Sequence, residues 1–309
     1  MELKVWGATD TGRTRSENQD AFLILEFKDG DPDDGFILGP DSAAGGDAGG
    51  NSSQPGSNHP GSGRLQVGPR GLLLLVADGM GGAAGGRVAS RLAISVMAET
   101  LAREWPRDRI RSPSRFAEHL EAAVRQANTS VLDRTRVRPD LAGMGTTATL
   151  AGILDGYVYV AQVGDSRAYL IRDGRATQIT RDQSMVQELV DQGVMSREEA
   201  ERSVHRSVLL QALGTDTQVR VPITFHGLRD GDRLLLCSDG LTGPVGDAEL
   251  ETLASADQDL GQVCGNLIEA ANTAGGPDNI TVVMAEVISG GTPGPEEEVR
   301  LRSFDPDAP

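Results

Sequence analysis

A chain of 309 residues, 38% of them hydrophobic, can bury a substantial core; its formal net charge of −16, from 29 Lys+Arg against 45 Asp+Glu, disfavours non-specific attraction to nucleic acid or to an anionic membrane surface. The only cysteines, Cys237 and Cys264, each lie inside an apolar segment, so neither a disulfide scaffold nor a Cys-based zinc site is indicated. No apolar run approaches the ~20 residues of a membrane span, and residues 1–6 lack a charged region leading into an apolar one, so a soluble cytoplasmic protein is expected.

Along the chain, the run Ala21-Phe22-Leu23-Ile24-Leu25 reads as a strand and Leu72-Leu73-Leu74-Leu75-Val76 as another. Between them, residues 39–64 are almost entirely Gly, Ser, Ala, Asn, Asp and Pro with no apolar period, which predicts a flexible insertion lengthening a hairpin loop. Two helical stripes follow: Val88, Leu92, Val96 and Leu101, and then Phe116, Leu120, Val124, Ala127 and Val131, which starts after Ser112-Pro113. Short strands are expected at 147–154, 157–163, 168–171, 219–225, 233–237 and 280–287, with short helices at 185–194 and 196–202. A third helical face is marked by Leu260, Val263, Cys264, Leu267, Ile268 and Ala271, and from 289 the chain turns Gly-, Pro- and Glu-rich, predicting a loose acidic tail. Strands meet directly at Asp155-Gly156, Gly164-Asp165 and Asp173-Gly174, so the sheet must be largely antiparallel. The expected fold is α+β: two packed, mainly antiparallel sheets with helices on both outer faces, residues 1–288 forming one domain.

Asp-Gly pairs are common in this chain and most mark turns, but two differ. Asp78-Gly79 and Asp239-Gly240 each end an apolar run, placing a carboxylate where a buried strand emerges and needs a partner. Asp278 and Asp20 stand just before apolar strands. Strand ends alternate between the edges of an antiparallel sheet, so two terminating and two initiating aspartates can share one edge, where their mutual repulsion calls for cations. Hard oxygen donors favour Mg²⁺ or Mn²⁺.

The ordered segments Asp10-Thr11-Gly12-Arg13-Thr14-Arg15-Ser16-Glu17-Asn18-Gln19-Asp20, Val76-Ala77-Asp78-Gly79-Met80-Gly81-Gly82, Gly145-Thr146-Thr147, Val163-Gly164-Asp165-Ser166-Arg167, Cys237-Ser238-Asp239-Gly240-Leu241-Thr242 and Gly276-Pro277-Asp278-Asn279-Ile280-Thr281 resemble the motifs of the bacterial PPM, or PP2C, protein phosphatases. The resemblance implies a two-sheet sandwich hydrolysing phosphoserine and phosphothreonine with water activated between two Mn²⁺ or Mg²⁺ ions. It implies that Asp78 bridges the metals, Gly79 lends its carbonyl, Asp239 and Asp278 complete one shell, Asp20 supports the other, and Asp165 helps hold a weaker third cation. It further implies that Arg15 clamps phosphate through its planar guanidinium, and that the partners are phosphorylated proteins and a cognate Ser/Thr kinase opposed by a monomeric enzyme. Two positions depart from the pattern. Met80 stands where eukaryotic members have a histidine, and Gln183 replaces the usual histidine at the start of a flap-like region, with no role assigned to it.

Overall fold

The computed structural model describes residues 1–27, 37–38, 63–81, 85–292, 299 and 301–304. Most of the predicted insertion at 39–64 lies outside the described residues; Ala21–Glu26 and Leu72–Ala77 pair antiparallel, but the chain between them is not the single hairpin loop expected, since Ile37–Leu38 pairs with the other edge of Ala21–Glu26 and Gly63–Gln66 joins the opposite sheet beside Glu2–Asp10.

Among the described residues two six-stranded sheets form, with every pairing antiparallel. The first sheet runs Arg175–Gln178, Arg167–Arg172, Arg233–Cys237, Ile280–Ser289, Glu2–Asp10, Gly63–Gln66. The second runs Ile223–Gly227, Tyr157–Val163, Ala148–Leu154, Leu72–Ala77, Ala21–Glu26, Ile37–Leu38. Helices α1 (Gly85–Glu104) and α2 (Pro113–Val137) cover the second sheet. The short α3 (Met185–Asp191) and α4 (Arg197–Glu201) lie on an excursion of the chain, and after the single turn α5 (Asp239–Thr242), α6 (Asp247–Ala254) and α7 (Leu260–Thr273) cover the first sheet.

The continuous apolar run Leu72–Ala77 is explained by burial on both faces, since alternate side chains of a strand point to opposite sides. Leu72, Leu74 and Val76 fill the layer between the sheets with Phe22, Leu236 and Val283, while Leu73, Leu75 and Ala77 face α1 and α2. The predicted α2 stripe is the buried one, and Ser112 caps the helix by accepting from the Arg115 N–H, with Pro113 at the first helical position. The α1 face is rotated from its prediction: Ala89, Ala93, Ile94 and Met97 are buried with Leu101, and Val88, Leu92 and Val96 sit at the margin. Small residues allow α1 to lie close on its neighbours, and a hydrophobicity pattern favours the larger side chains instead.

Glu2–Asp10, sandwiched between two strands, had no strand signal assigned to it, and α6 was likewise unanticipated. The tail is not loose throughout. Along the unpaired edge of Ile223–Gly227, the Phe225 N–H donates to the Arg302 carbonyl at 3.1 Å and the Phe304 N–H to the Ile223 carbonyl at 2.7 Å. The Phe304 ring packs edge-on to Tyr159 and Phe225, and Arg302 lies over the Phe225 ring. Unsatisfied backbone groups on a sheet edge and one aromatic side chain are enough to dock it. Cys237 and Cys264 are free, buried thiols, and among the described residues no helix is long and apolar enough to cross a membrane.

Candidate metal centre

Strand register assembles the site. Ala21 pairs with Ala77, so Asp20, preceding one strand, and Asp78, following the other, emerge at the same end of the second sheet. In the first sheet Cys237 pairs with Val282 and with Arg167, which brings Asp239, Asp278 and the Gly164–Asp165 hairpin to one end. The two ends adjoin. Ser238 Oγ, just after the strand Arg233–Cys237, and Thr281 Oγ1 of the strand Ile280–Ser289 donate to Asp20 Oδ2 at 2.7 and 2.6 Å, tying the sheets together at the carboxylates.

Asp20 is 4% exposed, and its Oδ1 has no hydrogen-bond partner. Asp239 Oδ1 is likewise buried and unpartnered. Burial, opposed by the two hydroxyls and reinforced by the charges of Asp239 and Asp278, raises the Asp20 carboxyl to about 7. Asp78 is driven well above the usual carboxylate range by burial, then by the charges of Asp20, Asp239 and Asp165 and a hydrogen bond with Asp239. Asp239 is raised chiefly by burial and next by Asp278, and Asp165 is pushed to about 8 by burial, Asp239 and Asp182.

The backbone around Asp78 is held rigidly. Its N–H donates to Thr147 Oγ1 at 2.9 Å, and its carbonyl accepts from the Thr147 N–H at 2.9 Å and from Thr146 Oγ1 at 2.8 Å. Gly79 has no room for a side chain, because a Cβ there would stand 2.1 Å from the Gly86 carbonyl oxygen. Asp278 accepts from the Asn279 N–H through Oδ1 and from Arg15 Nη2 at 2.6 Å through Oδ2. The arginine expected to hold phosphate is thus paired with a site carboxylate while remaining 55% exposed. Asn279 fastens its loop: its Nδ2 donates to the carbonyls of Thr11 and Glu17, and its Oδ1 accepts from the Gln19 N–H.

All seven residues singled out from the sequence lie in this region, with Asp165 on the wall of a cleft of about 410 Å³ that also exposes Asp239, Arg167 and Asp182. Sequence reasoning missed the supporting polar groups Thr147, Ser238, Asn279 and Thr281; each sits inside a recognised motif, which was the available signal. Among the described residues no three His, Cys, Asp or Glu side chains are gathered as a ready-made cation shell. The donor chemistry nonetheless fits a hard divalent cation: buried carboxylate oxygens lack partners, and burial together with the neighbouring aspartates raises the carboxyls of Asp20 and Asp78.

Residues 61–275 match the family model described as "Protein phosphatase 2C". Over 218 residues the chain is 44% identical to the serine/threonine protein phosphatase PstP of Mycobacterium tuberculosis, an alignment covering 70% of this chain and 40% of that protein, so the chain spans well under half of that relative's length. The crystal structure of the M. tuberculosis phosphatase PstP/Ppp superposes with a TM-score of 0.71 at 33% identity, covering 93% of this chain and 99% of the other. A PstP catalytic domain crystallised with two manganese ions superposes with a TM-score of 0.69 at 31% identity, covering 94% of this chain and all of the other, 100%.

Proposed function

The chain belongs to the protein phosphatase 2C family, and from that membership we propose that residues 1–288 form a catalytic unit hydrolysing phosphoserine and phosphothreonine in proteins at a dinuclear Mn²⁺ or Mg²⁺ centre. The observation that carries this reading is the pair of buried, unpartnered carboxylate oxygens, Asp20 Oδ1 and Asp239 Oδ1, among aspartates that burial first, and then one another's charges, push towards protonation. Bound divalent cations would relieve that repulsion, lower the pKa of water so that it can attack phosphorus, and neutralise phosphate charge.

In this reading Asp78, with the Gly79 carbonyl, Asp239 and Asp278 hold the metals, Asp20 supports them, and Asp165 serves a weaker third cation. Thr147 and Thr146 keep Asp78 from shifting as charge accumulates, through the hydrogen bonds to its backbone. Ser238 and Thr281 orient Asp20 so that one oxygen is committed and the other free. Arg15, 55% exposed and hydrogen-bonded to Asp278, would exchange that carboxylate for the phosphate oxygens of a substrate. Neither Met80 nor Gln183 supplies an imidazole to protonate a leaving oxygen. The substrates are phosphorylated proteins, the reaction opposes a Ser/Thr kinase in the cytoplasm, and the enzyme acts as a monomer.

The test is release of inorganic phosphate from a phosphothreonine peptide, with and without Mn²⁺, beside release from free nucleotides and small phosphate esters. Metal-dependent turnover preferring the peptide is expected; equal or greater activity on nucleotides alone would assign the centre to small phosphate esters. Arg15→Ala should raise KM for the peptide at least fivefold and lower kcat less, because the clamp holds phosphate in ground and transition states alike. An unchanged KM would remove Arg15 from the phosphate site.

A further inference from the structure

Between Ser184 and Leu209, which form an antiparallel bridge, the chain makes an excursion that carries α3 and α4 and borders the cleft beside Asp165 and Asp239. Gln183 stands at its root, 6% exposed. Its backbone carbonyl accepts from the Leu210 N–H at 2.8 Å and its N–H donates to the Gly164 carbonyl at 2.9 Å. The side chain repeats the link: Oε1 accepts from the Gly164 N–H at 2.9 Å and from Gln211 Nε2 at 3.1 Å, and Nε2 approaches the Gln162 carbonyl at 3.4 Å. Gln162 in turn donates through Nε2 to the carbonyls of Gly164 and Ser166, at 3.3 and 3.1 Å, and accepts from the Arg181 N–H. One neutral side chain therefore joins both ends of the excursion to the residue preceding Asp165.

Gly164 passes the constraint inward. It adopts φ +99°, and an added Cβ would lie 2.6 Å from Thr147 Cγ2, so the hairpin rests directly on Thr147. Thr147 accepts the Asp78 N–H and shares a 2.7 Å hydrogen bond with Ser166 Oγ. Buried, fully satisfied polar networks of this kind have few alternative arrangements, so a displacement at one end is felt at the other.

We propose that Gln183 is a positioning residue for the reaction, coupling the excursion 184–209 to the Gly164–Asp165 hairpin and, through Thr147, to Asp78. The kinetic half of this rests on the phosphatase reading; the mechanical half does not. Because the linking group is an amide, the coupling carries no charge and holds its strength across neutral pH.

Gln183→Met keeps the length and removes every side-chain hydrogen bond. It should lower kcat on a phosphothreonine peptide about tenfold, about 1.4 kcal/mol of barrier, with KM within about threefold. In an Asp165→Ala background the same change should cost clearly less than about tenfold, because the share transmitted through Asp165 is already lost while the route through Thr147 to Asp78 remains. Amide exchange, read independently of activity, should speed up at least about tenfold in residues 163–166 and leave Leu72–Ala77 unchanged. If Gln183→Met does not fold, Gln211→Ala, which removes the donor to Gln183 Oε1, should give the same non-additivity at smaller size. A full tenfold loss in both backgrounds, or unchanged exchange at the hairpin, overturns the proposal. Wild-type protein inactive on the peptide, with Gln183→Met still speeding exchange in residues 163–166, would sink the phosphatase reading and the kinetic role, leaving the mechanical coupling intact.

Discussion

Asp78→Asn and Asp239→Asn each yield a folded protein whose Mn²⁺-stimulated turnover on a phosphopeptide is lost by more than about a thousandfold, about 4 kcal/mol of barrier. Asparagine keeps the shape of the side chain and removes the charge a cation needs. The same substitutions should leave the metal-free melting temperature at pH 8 unchanged or higher. Asp78 is held towards its protonated form by burial and by the charges of Asp20, Asp239 and Asp165, so a neutral isostere relieves repulsion that the native carboxylate suffers without metal. Loss of activity accompanied by a lower metal-free melting temperature would mean that the carboxylates are structural. Calorimetric Mn²⁺ titration beside steady-state kinetics separates the cases, because the site requires weakened metal binding together with lost turnover.

The carboxylates were legible because strand ends leave a local signature: an apolar run, then Asp-Gly at 78 and 239, or Asp before an apolar run at 20 and 278. Antiparallel register then does what the sequence pattern requires, setting Ala21 against Ala77 and Cys237 against Val282. What was not legible is long-range. The hydroxyls that satisfy Asp20 come from positions 238 and 281, and the amide that closes the loop of Arg15 comes from Asn279; spacing in the chain says nothing about such pairs. Gln183 was visible only as a departure from a family pattern, and its use appears when the hydrogen bonds to Gly164 and Gln211 are traced. Glu2–Asp10 escaped for a different reason. Buried on both faces, it carries Leu3 and Val5 towards one layer and Trp6 and Ala8 towards another, with Gly7 interrupting the first period and Lys4 the second. Residues 301–304 were assigned to the tail by composition, which cannot weigh one phenylalanine against an open sheet edge.

The metal-free protein should lose stability as pH rises from 6.5 to 8, and saturating Mn²⁺ should reverse that slope. Raised folded-state values mean that the native protein keeps protons which the unfolded chain has already released above pH ~4. For Asp20 this stabilisation is complete in acid and is lost as pH passes through about 7; for Asp165 it is lost through about 8. Asp78, raised by the same cluster, adds in the same direction. His226 works the other way at lower pH: burial depresses it to about 4, so the unfolded chain binds the extra proton between that value and ~6.5, and stability rises with pH there. Starting the comparison at pH 6.5 leaves that contribution behind and isolates the carboxylates. A fall in melting temperature of at least about 4 °C between pH 6.5 and 8 is expected in the presence of a chelator. With Mn²⁺ in excess the curve should instead rise, because protons and cations compete for the same oxygens and deprotonation strengthens the site. A chelated protein whose melting temperature is flat across this interval would show that burial and neighbouring charge do not hold protons on Asp20 and Asp165 in this range, and would remove that support from the metal assignment.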